Sequence, residues 1–212
     1  MQENYTHISV VLDRSGSMNS IKNDMIGGFN KFLTDQKAVE GKATFSLVRF
    51  DDVIETVINF VSLQEAKPID STILDPRGST ALLDAIGQTI DELGSKLATL
   101  PEDERPSKVI VMIITDGQEN SSCKFSNLQI AEKIKHQTEV YQWQFIFLGA
   151  NQDAIATAKS IGIAASSSIT YAADSEGTRD ALEGTSNLLS SYRAGKSNQV
   201  SYSDADRKKQ LR

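Results

Sequence analysis

The sequence predicts an α/β fold of three layers, in which helices cover both faces of a mostly parallel central sheet that has one antiparallel edge strand. Short apolar or β-branched segments alternate along the chain with longer segments whose apolar residues recur at helical spacing, which is typical of this class. Residues 109–114 are apolar at every position, so they predict a central parallel strand with both faces buried.

The first part of the chain predicts a strand, a helix and a hairpin. Residues 7–12 form a short, mostly apolar run that predicts a buried strand. Apolar residues then recur at helical spacing and predict a helix over residues 20–38. Residues 44–50 and 53–60 are rich in β-branched and aromatic side chains and predict a hairpin with a tight turn at Asp51-Asp52. We expect these two carboxylates to solubilise the hairpin rather than to form a second metal site.

The rest of the chain continues the alternation of helices and strands. A second helix, marked by apolar residues from Leu82 to Leu97, is expected to be capped by Thr80 or a neighbour. The other predicted elements are, in order, the central strand over residues 109–114, a helix over 126–136, an aromatic strand over 143–148, a helix over 154–161, a short edge strand over 168–171 and a last helix whose apolar face runs from Leu182 to Tyr192.

One domain over residues 1–194, followed by a polar tail, is the predicted organisation. The length of 212 residues suits a single domain with a short appendage. Residues 195–212 are polar and lack periodicity, which predicts a loose C-terminal tail. The basic cluster at residues 207–209 with Arg212 lies in this tail, and the net charge of the chain is −6, so we expect no nucleic-acid partner.

The composition favours a cytoplasmic protein. Cys123 is the one cysteine of the chain, which excludes an intramolecular disulfide and favours a reducing compartment. The N-terminal residues do not resemble a secretory signal, and the longest apolar run is far shorter than the roughly 20 residues that cross a bilayer. We therefore expect neither export nor a membrane contact.

Three polar loops carry the candidate chemistry. Residues 13–17 (Asp-Arg-Ser-Gly-Ser) follow the first predicted strand, residues 78–80 (Gly-Ser-Thr) open the second predicted helix, and residues 115–117 (Thr-Asp-Gly) follow the central strand. In an open α/β sheet, ligands bind beyond the carboxyl ends of the strands. The oxygen-bearing side chains of the three loops can therefore converge on one point.

A hard cation is the ligand that these side chains fit. Alternate residues of an extended turn lie on one side, so Asp-x-Ser-x-Ser can present one carboxylate and two hydroxyl groups to the same ion. Oxygen ligands in octahedral geometry suit Mg²⁺, which also keeps several waters. The three loops contain no histidine or cysteine, which disfavours zinc, copper or iron.

Residues 11–18, 78–86 and 113–117 resemble the three segments of the metal-ion-dependent adhesion site of von Willebrand factor A-type (vWA) domains. The segments occur in the family's order, each at the end of the appropriate element, and the resemblance covers about residues 5–194. It implies a three-layer Rossmann-like fold and a domain that binds proteins through a divalent metal ion.

The resemblance also implies a role for five residues. Ser15 and Ser17 would bind the ion directly, and Thr80 would bind it directly or through a water. Asp13 and Asp116 would act mostly through bound waters. A Mg²⁺ or Mn²⁺ ion with mostly neutral ligands stays electrophilic, so an open position would take an Asp or Glu carboxylate from a partner protein.

Some residues near the motif depart from the family pattern or leave two interpretations open. Arg14 stands where relatives often have Thr or Asn; this extra cation either biases the site toward acidic partners or packs against the rim. Glu119 and Asn120 either line the rim or belong to a plain polar loop. The loop of residues 149–153 resembles a loop of small bacterial and phage vWA proteins, which favours a role in an intracellular prokaryotic or phage complex.

A Mg²⁺-dependent phosphotransfer or hydrolytic enzyme is the alternative function on a similar sheet. A phosphatase of the Asp-x-Asp type would need a second carboxylate where Ser15 stands. The chain has neither a Gly-x₄-Gly-Lys-[Ser/Thr] phosphate loop nor a Gly-x-Ser-x-Gly nucleophile elbow. Asp13 as a nucleophile would have no general acid beside it. We therefore predict a binding module without catalytic residues.

Overall fold

Six strands form one sheet in the part of the chain that the structure, a computed structural model, describes: residues 1–150 and 153–210. The strands are β1 (Gln2–Asp13), β2 (Lys42–Phe50), β3 (Ile54–Ser62), β4 (Pro106–Thr115), β5 (Gln144–Ala150) and β6 (Ser168–Tyr171). The helices are α1 (Lys22–Ala38), α2 (Leu82–Thr99), α3 (Asn127–Tyr141), α4 (Ala154–Ser160), α5 (Ser175–Arg193) and α6 (Asp204–Lys209). No described helix is long and apolar enough to cross a bilayer.

The sheet order is β3-β2-β1-β4-β5-β6, and all neighbouring strands are parallel except in the antiparallel hairpin of β2 and β3. The two central strands, β1 and β4, contribute apolar residues to the cores on both faces of the sheet. A strand of this kind needs an uninterrupted apolar run, which residues 109–114 supply. The predicted fold class is confirmed, including its antiparallel edge strand.

Helices cover the two faces of the sheet in two sets. α1 and α5 pack against each other and enclose one core, which includes Phe29 and Leu189. α2, α3 and α4 enclose the other core, which includes Ile86, Ile130 and Ala158. Because the central strands are closed to water on both sides, polar function is confined to the loops at the ends of the strands.

The start of α2 differs from the prediction that Thr80 or a neighbour caps it, because no side chain next to the helix start makes a capping hydrogen bond. The loop after β4 satisfies the first amides instead. Glu119 Oε2 accepts a hydrogen bond from Leu83 N at 2.9 Å, and Ser122 Oγ accepts one from Asp84 N at 3.0 Å. These two capping side chains lie 36 and 38 residues from the amides they cap, so no local sequence pattern indicates them.

The chain after α5 is packed against the domain, so the prediction of a loose tail is wrong for its described residues. Val200 and Tyr202 are buried, and Tyr202 Oη lies 2.6 Å from Thr185 Oγ1 on α5. α6 follows and carries three residues of the basic cluster, whereas the fourth, Arg212, lies outside the described residues. Two apolar residues within a polar stretch form no periodic pattern, which is why the sequence did not reveal this packing.

His7 is a buried, neutral group in β1. Its side chain has no exposed surface, its Nδ1 lies 2.9 Å from Thr44 Oγ1, and its ring stacks on Phe60 with 4.5 Å between the centroids. Burial lowers the pKa of His7 from 6.5 to about 3. The unfolded chain therefore binds a proton at this residue below pH 6.5, whereas the folded protein does so only near pH 3, and stability is lost as the pH falls through this window.

We predict that His7→Asn makes the free energy of unfolding less sensitive to acid. Asparagine can keep a hydrogen bond to Thr44 but does not titrate. Between pH 7 and pH 5 the wild type should lose about 2 kcal/mol through His7, and the variant should not lose this part. Urea unfolding of both proteins at the two pH values, in EDTA, measures the difference. Equal losses would show that His7 is not held neutral by burial.

Candidate metal centre

The three polar loops meet at the carboxyl-terminal edge of the central strands. β1 ends at Asp13 and β4 ends at Thr115, and because the two strands are parallel neighbours, these residues lie at the same edge. The chain that leads into α2 reaches this edge as well, since Asn120 N, in the loop after β4, donates a hydrogen bond to Thr80 O at 3.1 Å. The sheet topology thus brings together loops that are separated by up to about a hundred residues.

Three hydroxyl groups line one small space beside Gly117. The Oγ atoms of Ser15 and Ser17 lie 3.1 Å apart. A Cβ atom built on Gly117 would lie 3.3 Å from each of these oxygens and 2.7 Å from Thr80 Oγ1. A single point therefore exists from which all three hydroxyl oxygens are within a few ångströms, and a glycine is required there because a side chain would fill the space.

The two carboxylates of the motif stand behind these hydroxyl groups. Asp13 is fully buried; its Oδ1 accepts a hydrogen bond from Ser15 N at 2.6 Å, and its Oδ2 accepts one from Thr115 Oγ1 at 2.5 Å. Asp116 Oδ1 accepts a hydrogen bond from Ser17 Oγ at 2.6 Å. Because the Ser17 proton points to Asp116, the lone pairs of that hydroxyl remain available to another group.

The environment of the two carboxylates is short of positive charge. Burial raises the pKa of Asp13 to about 6, although hydrogen bonds from Thr115 and Ser15 offset part of this effect. Burial also raises the pKa of Asp116. Neither carboxylate forms an ion pair with a lysine or arginine within residues 1–150 and 153–210. A cation placed beside them would favour their charged forms.

Arg14 does not supply this missing charge, because it is buried and paired elsewhere. Its Nε lies 3.2 Å from Asp51 Oδ2, and its Nη2 lies 2.5 Å from Glu55 Oε2. Of the two interpretations of Arg14, packing beside the loop is the one that the structure supports. Asp51 has no exposed surface, so the expectation that it is a solubilising charge of the hairpin is wrong. Its neighbour Asp52 is exposed, as expected.

The loop after β4 fixes Thr80 through residues whose role the sequence left open. Asn120 Oδ1 accepts a hydrogen bond from Thr80 N at 2.9 Å, so this side chain orients the backbone of Thr80. Glu119 caps α2, and both residues therefore position the site. Their one sequence signal was their place shortly after the third motif segment, which ends at Gly117.

Asp84 also holds this loop on α2, a role that was not predicted from the sequence. Its carboxylate accepts hydrogen bonds from Cys123 N, Lys124 N and Phe125 N at 2.9 to 3.0 Å. Burial alone would raise the pKa of Asp84, but these hydrogen bonds outweigh it and lower the pKa. The aspartate was visible in the second motif segment, but only the fold shows which amides it meets.

Asn151 and Gln152, within the sequence segment 149–153, lie outside the described residues. Within the described residues, no three histidine, cysteine, aspartate or glutamate side chains form a group that could hold a metal ion. The oxygen-bearing side chains that the structure brings together at this edge are the three hydroxyl groups and the two carboxylates behind them.

We predict that Gly117→Ala lowers the affinity for Mn²⁺ by roughly 10-fold, because the new methyl group enters the space between the three hydroxyl groups. Titration followed by electron paramagnetic resonance measures the free ion. Gly27→Ala is the matched control, since a methyl group at this exposed position of α1 meets no atom within 4 Å. Unchanged Mn²⁺ affinity in Gly117→Ala would exclude the space beside Gly117 as the metal site.

Comparison with solved structures shows the same fold in distant proteins. Proximal thread matrix protein 1 from the mussel byssus is 16% identical, with 88% of this chain and 46% of that chain covered and a TM-score of 0.58. The ArnB paralog VWA2 from Sulfolobus acidocaldarius is 17% identical (85% and 44% covered, TM-score 0.56), and BatB from Bacteroides thetaiotaomicron is 14% identical (91% and 100% covered, TM-score 0.56). This chain spans about half the length of the first two. No curated protein matches the chain.

The family model gives the assignment. The model of the von Willebrand factor type A domain matches residues 7–185, which is most of the chain and includes all three motif segments. The resemblance inferred from those segments is therefore confirmed. The chain belongs to the von Willebrand factor type A domain family.

Proposed function

We propose that this domain is a protein-binding module that depends on a divalent metal ion. The observation that carries the proposal is the convergence of the Ser15, Ser17 and Thr80 hydroxyl groups on one space, with Asp13 and Asp116 behind them. Hydroxyl oxygens supported by carboxylates are suitable ligands for a hard cation.

The ion that fits this donor set best is Mg²⁺ or Mn²⁺. The mussel matrix protein, which shares the fold, is described with zinc in its adhesion-site motif, and this supports a divalent cation in the present chain. Zinc prefers nitrogen and sulfur ligands, whereas Mg²⁺ and Mn²⁺ prefer oxygen, and the site beside Gly117 offers oxygen only. When bound, the ion would supply positive charge for an anionic group of a partner.

Each of the five residues has a distinct part in this proposal. Ser15 and Ser17 would hold the ion directly, and Thr80 would hold it directly or through a water. Asp13 and Asp116 would orient the hydroxyl groups and bound waters and compensate the charge. Because the direct ligands are neutral, the ion would keep most of its charge for an Asp or Glu carboxylate of a protein partner.

Binding is favoured over catalysis by the state of Asp13. Both of its carboxylate oxygens already accept short hydrogen bonds, from Ser15 N and from Thr115 Oγ1, so the group is not free to attack a substrate. We infer that the domain is not an enzyme. The single cysteine, Cys123, supports a cytoplasmic location, and the resemblance of residues 149–153 to a loop of small bacterial and phage vWA proteins supports a prokaryotic or phage complex.

We predict that Mg²⁺ stabilises the fold through this site. At 100 times its dissociation constant, Mg²⁺ should add about 2.7 kcal/mol to the free energy of unfolding. Asp116→Asn and Ser17→Ala should lose most of this gain, because each alters the ligand set. Asp103→Asn, the same chemical change at the opposite end of the sheet, should keep it. If all variants melt with the same Mg²⁺ dependence as the wild type, the ion binds elsewhere.

We predict that the partner binds through a carboxylate that contacts the ion. Capture from native lysate with the wild type and with Ser17→Ala, each with Mg²⁺ and with EDTA, should identify proteins that need both the ion and Ser17. Alanine replacement of the interfacial carboxylates of such a partner should then abolish binding for one of them. A partner that binds equally well in EDTA, and without any of those carboxylates, would contradict the proposal.

A further inference from the structure

The hairpin turn between β2 and β3 lies against two of the loops that carry the metal-site hydroxyl groups. The serine loop (residues 13–17) is attached to it by a hydrogen bond from Arg14 N to Phe50 O at 2.7 Å. The threonine loop (residues 77–81) is attached by a hydrogen bond from Ala81 N to Asp51 O at 3.0 Å. The hairpin turn is therefore a common support for both loops.

The side chain of Asp51 also contacts both of these loops. Its Oδ2 accepts a hydrogen bond from Arg77 Nε at 2.8 Å and lies 3.2 Å from Arg14 Nε, in an ion pair that lacks hydrogen-bond alignment. Its Oδ1 accepts a hydrogen bond from Val53 N at 2.6 Å, which holds the carboxylate in place. One carboxylate thus contacts one residue of the serine loop and one residue of the threonine loop.

The serine loop and the threonine loop also contact each other directly. Arg77 N donates a hydrogen bond to Arg14 O at 2.8 Å, and Gly16 N donates one to Gly78 O at 3.3 Å. Gly78 has a φ of +64°, and a Cβ atom there would collide with the carboxylate of Asp52. The two loops therefore approach each other against the hairpin turn, where Asp51 contacts one arginine from each loop.

The Asp51 carboxylate is charged in this setting. Burial alone would raise its pKa, but the hydrogen bonds from Arg77 and Val53 N and the charge of Arg14 outweigh it and lower the pKa. Removal of the charge would leave the buried Arg14 guanidinium with Glu55 as its remaining partner and would release Arg77, whose side chain is 55% exposed. A buried cation that loses one of its two carboxylate partners is destabilised, so the two loops would shift to restore its solvation.

We propose that Asp51, through Arg14 and Arg77, is a positioning residue of the metal site. It sets the separation between the serine hydroxyls of the serine loop and the threonine hydroxyl of the threonine loop, and this separation decides whether both loops can bind one ion. The inference rests on the proposed function, because it concerns the same ion. Asp51 itself does not touch the ion.

The first test is Mn²⁺ binding to the full chain with Asp51→Asn. Asparagine keeps the shape of the side chain but carries no charge to pair with Arg14, and its amide nitrogen cannot accept the hydrogen bond from Arg77. Mn²⁺ affinity should fall by roughly 10-fold, as is usual when a support of a ligand is removed. Where Thr80 is a direct ligand, the number of Mn²⁺-bound waters, from water ¹⁷O relaxation, should rise by one as water replaces its hydroxyl group. Asp103→Asn, the same change at an exposed position at the opposite end of the sheet, should leave both unchanged.

The second test separates positioning from a general loss of stability. In a Thr80→Ala background the ligand that Asp51 positions is absent, so Asp51→Asn should cause no further loss of Mn²⁺ affinity. A loss of equal size in both backgrounds would overturn the proposal. If Asp51→Asn does not fold, Arg77→Met removes the same hydrogen bond by changing its exposed donor. It should lower Mn²⁺ affinity only when Thr80 is present. Equal losses of Mn²⁺ affinity with and without Thr80 would overturn the proposal as well.

The outcomes distinguish this inference from the proposed function. Wild-type protein that binds no Mn²⁺, or that binds it as well after Ser17→Ala, overturns both. If the wild type binds Mn²⁺ and Ser17→Ala weakens it, while Asp51→Asn retains the wild-type affinity and water number, the metal site stands and only the role of Asp51 is overturned.

Discussion

The parallel pairing of β1 with β4 is the constraint on which the rest of the structure depends. Both strands are central and buried on both faces, and their register sets Leu12 beside Ile114. Asp13 and Thr115 follow at the same edge, where the threonine hydroxyl donates to the carboxylate. A shift of this register by one residue would turn the side chains of one strand to the opposite face of the sheet and would separate the two loops. The same strand pairing therefore determines both the core and the candidate site.

Two charged clusters of opposite character share this edge of the sheet. In one cluster, Asp51 and Glu55 neutralise the charge of Arg14, and Asp51 also pairs with Arg77. The charges of this cluster are paired with one another, and the pairs hold the loops together. In the other, the carboxylates behind Ser17 and its neighbours lack a cation among the described residues, and burial raises their pKa values. Buried charge that is left uncompensated costs stability, and proteins keep it mainly where function requires it.

Much of the fold and the core of the site could be predicted from the sequence because the signals are local. Helical spacing and the apolar run at residues 109–114 identified the elements, and the three motif segments identified Ser15, Thr80 and Asp116 as residues of one site. Motif order and the rule that ligands bind at the carboxyl ends of parallel strands then placed them together. The family model over residues 7–185 agrees with the family that these segments resemble.

What the sequence by itself determined was the order of strands and helices, the two-sided burial of the central strand and the set of oxygen-bearing loops. Only the tertiary structure decided that Glu119 caps α2, that Tyr202 packs on α5 and that Asp51 is buried. Asp51 has the local pattern of an exposed turn residue, and it is buried because Arg77 reaches it from 26 residues along the chain. Periodicity describes which face of an element is apolar, whereas the partner of a polar side chain depends on which distant segments the sheet brings to the same edge.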